Sequence, residues 1–285
     1  MQLRTERVEL HDGDFVDLCW SRREQGAIVL VLHGLEGSLH SHYAAGLMQA
    51  LEHRGYRPVF MYFRGCSGEP NRLPRSYHSG DTGDIAEVIE HIGARMQAPV
   101  YAAVGFSLGG NALLKWLGET GDANPLSRAV AVSAPYDLAA AARRMQQGAS
   151  RLYQNHLLNS LKRSYKRKFS RMASPLDIDV DEYSSFRDFD DAVTAPLHGF
   201  DSVDHYYRES SSRQYLKAIR VPTRLIHALD DPFMFADTAP HQHELSASVE
   251  LLLSRYGGHV GFVAGRLPWK PRYWHEERII EFLIE

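Results

Sequence analysis

At 285 residues the chain can bury a large core, and one α/β domain carrying an insertion suits that length better than two independent domains. Its 44% hydrophobic and 24% charged content is ordinary for a globular protein, and a net charge of -3 argues against nucleic acid as a partner. The opening Met1-Gln-Leu-Arg-Thr-Glu-Arg7 lacks the apolar core of a signal peptide, no apolar run reaches transmembrane length, and Cys19 and Cys66 build neither a disulfide framework nor a zinc site, so a cytoplasmic, soluble protein is expected.

Residues 6–11 and 15–20 predict two strands around the turn Asp12-Gly13-Asp14. Ala27-Ile-Val-Leu-Val-Leu-His33 is a continuous apolar run, as in a strand buried on both faces, and it ends in His33-Gly34-Leu35-Glu36-Gly37. A helical pattern then runs to about Arg54, with Leu47, Met48 and Leu51 on one face and Gly55 as its stop. Pro58–Phe63 is the next strand, followed by a turn-rich Arg64-Gly65-Cys66-Ser67-Gly68. From Asp84 to Met96 the spacing of Ile85, Val88, Ile89 and Ile92 is helical, with Asp81 or Thr82 available as the cap. Pro99–Gly105 is a strand that runs into Gly105-Phe106-Ser107-Leu108-Gly109 and then a helix-compatible stretch. Further strands are expected at 128–133, 222–228 and about 249–255, and a closing helix from about Pro271. This alternation implies a mostly parallel sheet of about eight strands with helices on both faces.

One interval breaks the rhythm. Almost ninety residues separate the strand ending near Ser133 from the one starting near Pro222, where a parallel crossover needs about a dozen. Residues 138–216 are therefore expected to form an inserted helical cap, with residues 1–137 and 217–285 as the core domain. Its first half reads as helix with a break at Gly148, and Leu138, Met145 and Leu152 recur every seventh residue. Arg143 to Arg171 holds nine basic residues and no acid, whereas Asp177 to Asp191 holds seven acids against one Arg187. Either the two halves face each other or water, or Leu157, Leu158, Leu161, Tyr165 and Phe169 with the lysines form an interfacial helix on anionic lipid.

The stretch 105–109 is G-x-S-x-G between a strand and a helix, the setting in which a serine is held on a strained turn above the strand ends. A serine hydroxyl needs a base to take its proton, and histidine suits because it titrates near neutrality. A carboxylate then fixes the ring tautomer. The chain order required is Ser, acid, His, with the acid after a late strand and the base in a loop beyond the last one. Of fifteen histidines, His259 alone follows the final strand among glycines (Gly257, Gly258, Gly261). His33 is read as a support for its loop, His40/His42 and His241/His243 as surface pairs, and His227 as a satisfied core residue. Asp231 is preferred as the acid, with Asp230 as a turn residue or a neighbour tuning the field, and Asp137 as a fallback better explained as a helix N-cap. The amides of Leu108, at a helix N-terminus, and of Leu35 are the expected oxyanion donors.

His33-Gly-Leu-Glu-Gly-Ser38, Arg64-Gly-Cys-Ser-Gly68, Tyr77-His-Ser-Gly80, Gly105-Phe-Ser-Leu-Gly-Gly-Asn111, Leu229-Asp-Asp-Pro-Phe233 and Gly257-Gly-His-Val-Gly-Phe262 together resemble the YheT-like branch of the α/β-hydrolase superfamily. These are bacterial esterase-like proteins related to eukaryotic abhydrolase-domain proteins that act on esters and phospholipids. The resemblance spans nearly the whole chain. It implies the α/β-hydrolase fold with a cap, and a triad on Ser107, Asp231 and His259. The cap matches only loosely.

The reading is a serine esterase that acts on a small acyl ester through an acyl-enzyme, with no cofactor and no metal. Two alternatives stay open: a lipase, phospholipase or thioesterase acting on lipid-like acyl groups, and a non-catalytic binding module on a hydrolase scaffold.

Overall fold

Ile28–Leu32 (β3) places five apolar side chains in a row, and all five are buried, so both faces of the strand are covered. In the computed structural model, which describes residues 3–265 and 272–285, β3 lies near the middle of an eight-stranded sheet. Ahead of it, β1 (Leu3–Glu9) and β2 (Phe15–Ser21) form the expected hairpin. Then come α1 (Ala44–His53), β4 (Arg57–Tyr62), α2 (Gly83–Met96), β5 (Val100–Phe106), α3 (Leu108–Thr120) and β6 (Arg128–Val132). The last strands of the sheet are β7 (Thr223–Ala228) and β8 (Val249–Ser254).

The spatial order is β1-β2-β4-β3-β5-β6-β7-β8. The pairs β1/β2 and β2/β4 are antiparallel, and every other neighbouring pair is parallel. The α/β expectation of a mostly parallel sheet is met.

Between β6 and β7 the chain forms α4 (Leu138–Met145), α5 (Ser150–Phe169), α6 (Phe186–Phe189), a π-helical turn at Asp190–Thr194, α7 (Ala195–Leu197) and α8 (Val203–Ser210). These helices have two small cores of their own, one around Leu138, Val203, Tyr206 and Tyr207, the other around Leu158, Val180, Phe189 and Val193. After β8, the short strands β9 (Val263–Ala264) and β10 (Arg272–Tyr273) pair, and α9 (Trp274–Ile284) follows.

Helices cover the sheet on both sides. Ile85, Val88 and Ile92 of α2 pack with Leu113, Leu114 and Leu117 of α3 over one face. Leu47, Met48 and Leu51 of α1 pack with Ile279, Phe282 and Leu283 of α9 over the other. Burying each such side chain contributes about 1.5–3 kcal/mol.

Three local expectations need correction. Thr82 occupies the N-cap of α2 but makes no capping bond, because its backbone there is helical and not extended; its hydroxyl donates to Glu119, and Asp81 accepts from Arg75. Leu152 is exposed while Leu138 and Met145 are buried, because Gly148, at φ +50°, turns the chain between α4 and α5 and ends the seven-residue phase. The last helix begins at Trp274, not at Pro271, which lies outside the described residues.

Because β3 and β5–β8 run parallel, their carboxyl ends share one edge, where crevices of open α/β sheets receive ligands. The loops leaving that edge carry Gly34 after β3, Ser107 after β5, Ser133 after β6, Asp231 after β7 and His259 after β8.

Candidate active site

Ser107 joins β5 to α3 with φ +50° and ψ -119°, a backbone state that a side chain rarely adopts. The turn is possible because glycines stand two residues either side. A Cβ at Gly105 would lie 2.5 Å from the Gly109 carbonyl oxygen, and one at Gly109 would lie 2.5 Å from the His33 carbonyl oxygen. The Ser107 N–H donates to the Val132 carbonyl at 2.8 Å, which ties the turn to the neighbouring strand.

The Ser107 hydroxyl lies 2.9 Å from His259 Nε2, and His259 Nδ1 lies 2.8 Å from Asp231 Oδ2. With a carboxylate at Nδ1, the ring proton sits there and leaves Nε2 free to accept from the serine. Asp231 is 3% exposed, and its other oxygen accepts from the Phe233 N–H at 2.8 Å. The Phe233 ring stacks on the His259 imidazole, with centroids 3.8 Å apart and planes 9° apart. Asp230 is neither idle nor a second partner of the ring. Its Oδ1 accepts from the N–H groups of Gly257 and Gly258, at 2.8 and 2.9 Å, and so holds the histidine loop to the acid loop. From the other side the Val260 N–H donates to the Ser133 hydroxyl at 3.3 Å. Gly257 has no space for a side chain, since a Cβ there would sit 2.5 Å from the Phe262 ring.

Neither the Leu108 N–H nor the Leu35 N–H has a hydrogen-bond partner among the described residues, and both residues line one cavity with Ser107 and His259. Leu108 opens α3, so its amide is one of the free donors at the positive end of a thirteen-residue helix. Leu35 is aimed by the other half of its own peptide group. The Gly34 carbonyl accepts from the Gly37 N–H at 3.0 Å and from His33 Nδ1 at 2.6 Å, so the Leu35 N–H, trans to it, points the opposite way. His33 can donate through Nδ1 because its Nε2 accepts from the Phe63 N–H at 3.1 Å. Burial keeps this ring neutral, lowering its pKa to about 4. The Gly34 N–H donates in turn to the Tyr43 hydroxyl at 2.8 Å.

The cavity over Ser107 has a volume of about 190 Å³ and predominantly apolar walls. Its far wall is α5, with Leu157, Leu161, Tyr165 and Phe169 facing in, while Leu158 closes into the small core with Phe189. That arrangement removes the apolar stripe an interfacial helix would present to lipid. Of the basic residues beside it, Lys168 is buried and donates to Asn71 and to the Arg75 carbonyl, and burial lowers its ammonium to about 8. Arg167 donates to the Gly65 carbonyl, and Lys166 pairs with Asp181 of the acidic half. Asp190, also in the wall, accepts from Thr194 and Tyr207, and burial pushes its carboxyl up to about 6.

The remaining candidates fall elsewhere. Asp137 caps α4 by accepting from the Ala140 N–H. His241 stacks on His243, and among the described residues no cluster of three metal-ligating side chains forms. His227 is buried, but both its ring nitrogens lack partners among the described residues, so it is not the satisfied core residue expected. Phe233, Ser133, Tyr43 and Tyr77 are site residues that sequence reading missed. For Phe233 a signal existed, since it follows the acid by two positions. Tyr43 and Tyr77 act through hydroxyls on distant backbone amides, which no local pattern encodes.

A family model described as "alpha/beta hydrolase fold" matches residues 27–265. The chain is 45% identical to "Putative esterase YheT" of Escherichia coli K12, over 98% of this chain and 84% of that protein. It is 30% identical to "Phospholipase ABHD3" of Mus musculus, over 100% of this chain and 73% of that one. Among solved structures, a Pyrococcus furiosus esterase superposes with a TM-score of 0.64 at 18% identity, covering 99% of this chain and 91% of that chain.

Proposed function

The chain belongs to the α/β-hydrolase fold family, and from that premise we infer that it hydrolyses carboxylic esters through Ser107, His259 and Asp231 and an acyl-enzyme. The observation that carries this reading is the unbroken hydrogen-bonded relay from the Ser107 hydroxyl through the His259 ring to the buried Asp231 carboxylate.

Ser107 attacks the ester carbonyl as His259 Nε2 takes its proton, and the ionised Asp231 stabilises the imidazolium that forms. The developing oxyanion accepts from the Leu35 and Leu108 amides, which have no internal partner to give up. His259 then protonates the departing alcohol. Water, activated by the same ring, releases the acid and restores Ser107.

The segment 138–216 acts as a cap whose α5 face supplies the acyl pocket, so the apolar wall favours an acyl chain over a charged acyl group. That wall equally supports the lipase or phospholipase reading, and two relatives carry such names, "Phospholipase ABHD3" and "Monoacylglycerol lipase". Docking of the cap on anionic lipid has no apolar face to use along 157–169.

The test is turnover of p-nitrophenyl esters alongside labelling by a fluorophosphonate. Wild type is expected to be labelled once, at Ser107, and Ser107→Ala to lose both labelling and turnover while melting normally. An unlabelled wild type would mean a binding module instead of an enzyme. Retained turnover in Ser107→Ala would place the nucleophile elsewhere.

A further inference from the structure

Leu35 sits in a loop between Gly34 and Gly37, held on one side by the bonds to the Gly34 carbonyl, and the clamp on its far side is Glu36. Glu36 holds φ +53°, in the left-handed region that costs a side-chain residue energy. Its N–H donates to the Tyr77 hydroxyl at 2.7 Å, and that hydroxyl donates back to Glu36 Oε1 at 3.0 Å. Tyr77 is itself buried and stacked on Phe63 with planes 7° apart. The other carboxylate oxygen, Oε2, accepts from the hydroxyl of Ser164, which belongs to α5. Among the described residues no cation pairs with this carboxylate, so its partners are these two hydroxyls.

Ser164 is not an isolated touch. Arg167 and Lys168, three and four positions on and so on the same helix face, reach the Gly65 carbonyl and Asn71 at 3.1 and 2.8 Å. The second half of α5 is thus docked by polar contacts onto the loops beside the oxyanion amide, while its apolar residues line the substrate cavity.

We propose that Glu36 is a positioning residue for the Leu35 amide and that Ser164 sets Glu36, so the oxyanion site is complete only while α5 is docked over the substrate. Docking of α5 orients the carboxylate. The carboxylate accepts the hydrogen bond of the Tyr77 hydroxyl, which turns an oxygen lone pair to the Glu36 N–H. That amide and the Gly34 carbonyl then fix Leu35 from both sides. A substrate that holds α5 in place thereby strengthens its own transition-state contact.

The proposal rests on the assignment of Leu35 as an oxyanion donor, and the experiment separates the two. Steady-state hydrolysis of a p-nitrophenyl ester is measured per fluorophosphonate-titrated site, so that misfolded protein does not count. Loss of a full oxyanion donor costs about a hundredfold to a thousandfold in kcat. Ser164→Ala is expected to lower kcat about tenfold with KM within about twofold, and Ser164→Thr, which keeps the hydroxyl, to recover most of the loss. Glu36→Ala should cost about a hundredfold, and Glu36→Ala/Ser164→Ala no more than Glu36→Ala alone, since the two act in one chain. Affinity for a trifluoromethyl ketone should fall in the same order. A kcat unchanged in Ser164→Ala, or losses that multiply independently in the double variant, would overturn the proposal while leaving the esterase reading intact. An unlabelled wild-type Ser107 would remove both.

Discussion

Asp230 and Asp231 are adjacent and chemically identical, yet their carboxylates end in different places. Asp231 turns inward and meets the imidazole, while Asp230 stays at the surface and gathers two glycine amides of the histidine loop. On the proposed mechanism the first fixes the tautomer of the ring, and the second holds the loop that carries it. Their amide or alanine variants should therefore fail differently. Asp231→Asn keeps the shape but puts a donor against Nδ1, which forces the wrong tautomer and is expected to lower kcat about ten-thousandfold with little change in Tm. Asp230→Ala leaves the relay chemistry intact and frees the loop. A fall in kcat of about tenfold is expected, with a loss of stability of about 1–2 kcal/mol for the two hydrogen bonds. Equal losses in the two variants would contradict this division of roles; kcat with a thermal melt on each variant decides it.

Helix α5 lines the cavity over Ser107 and also builds a small core of its own. Leu158 points away from the cavity into the small core with Val180, Phe189 and Val193, and Leu157 and Leu161 point into the cavity. Leu157→Trp, at a cavity residue outside that core, fills space that an acyl chain would occupy. kcat/KM for a long-chain p-nitrophenyl ester should fall at least about tenfold while that for the acetate holds, a contrast of the size a few methylenes command. A uniform loss along the ester series would show that α5 does not bound the acyl site. The same helix marks the limit of what the sequence discloses. Strand–turn–helix context and chain order single out Ser107, Asp231 and His259, because each follows a strand that must end at the same sheet edge. Length alone exposes the excursion between β6 and β7. Which way α5 faces was open, since its apolar residues suit lipid and cavity equally and only tertiary contacts decide. Arg64 was legible only as part of a turn. In the structure it is 2% exposed and bonds Asp84 through two nitrogens, with Asp12 and Asp14 on a third, pinning the first hairpin to α2. Such contacts join segments that no periodicity relates.

Across the whole molecule, two sets of buried groups pull stability in opposite directions as pH changes. Burial holds His33 and His275 at about 4 and lowers His78, His198 and His227 as well, against about 6.5 in the unfolded chain. Below pH 6.5 the unfolded state then binds more protons than the native one. The stability these rings contribute is full above that pH and is lost as pH falls toward 4. Burial also raises Asp81 and Asp190 to about 6 and Glu276 to about 7, with the opposite sign. Their contribution is present below about pH 4 and is lost as pH rises through 6 to 7. The two sets oppose each other, so single substitutions read each contribution better than wild type does. His275 is the cleanest probe, because neither ring nitrogen has a partner among the described residues and Phe106 and Phe262 pack beside it. His275→Phe keeps a planar ring and removes the titration. Its urea-unfolding free energy should match or exceed wild type at pH 7 and exceed it by about 2 kcal/mol more at pH 4.5. Glu276→Gln should act from the other side, stabilising above pH 7 and doing nothing near pH 4. Parallel pH profiles for wild type and His275→Phe would mean that this ring titrates alike in the folded and unfolded chain and contributes nothing to the acid response.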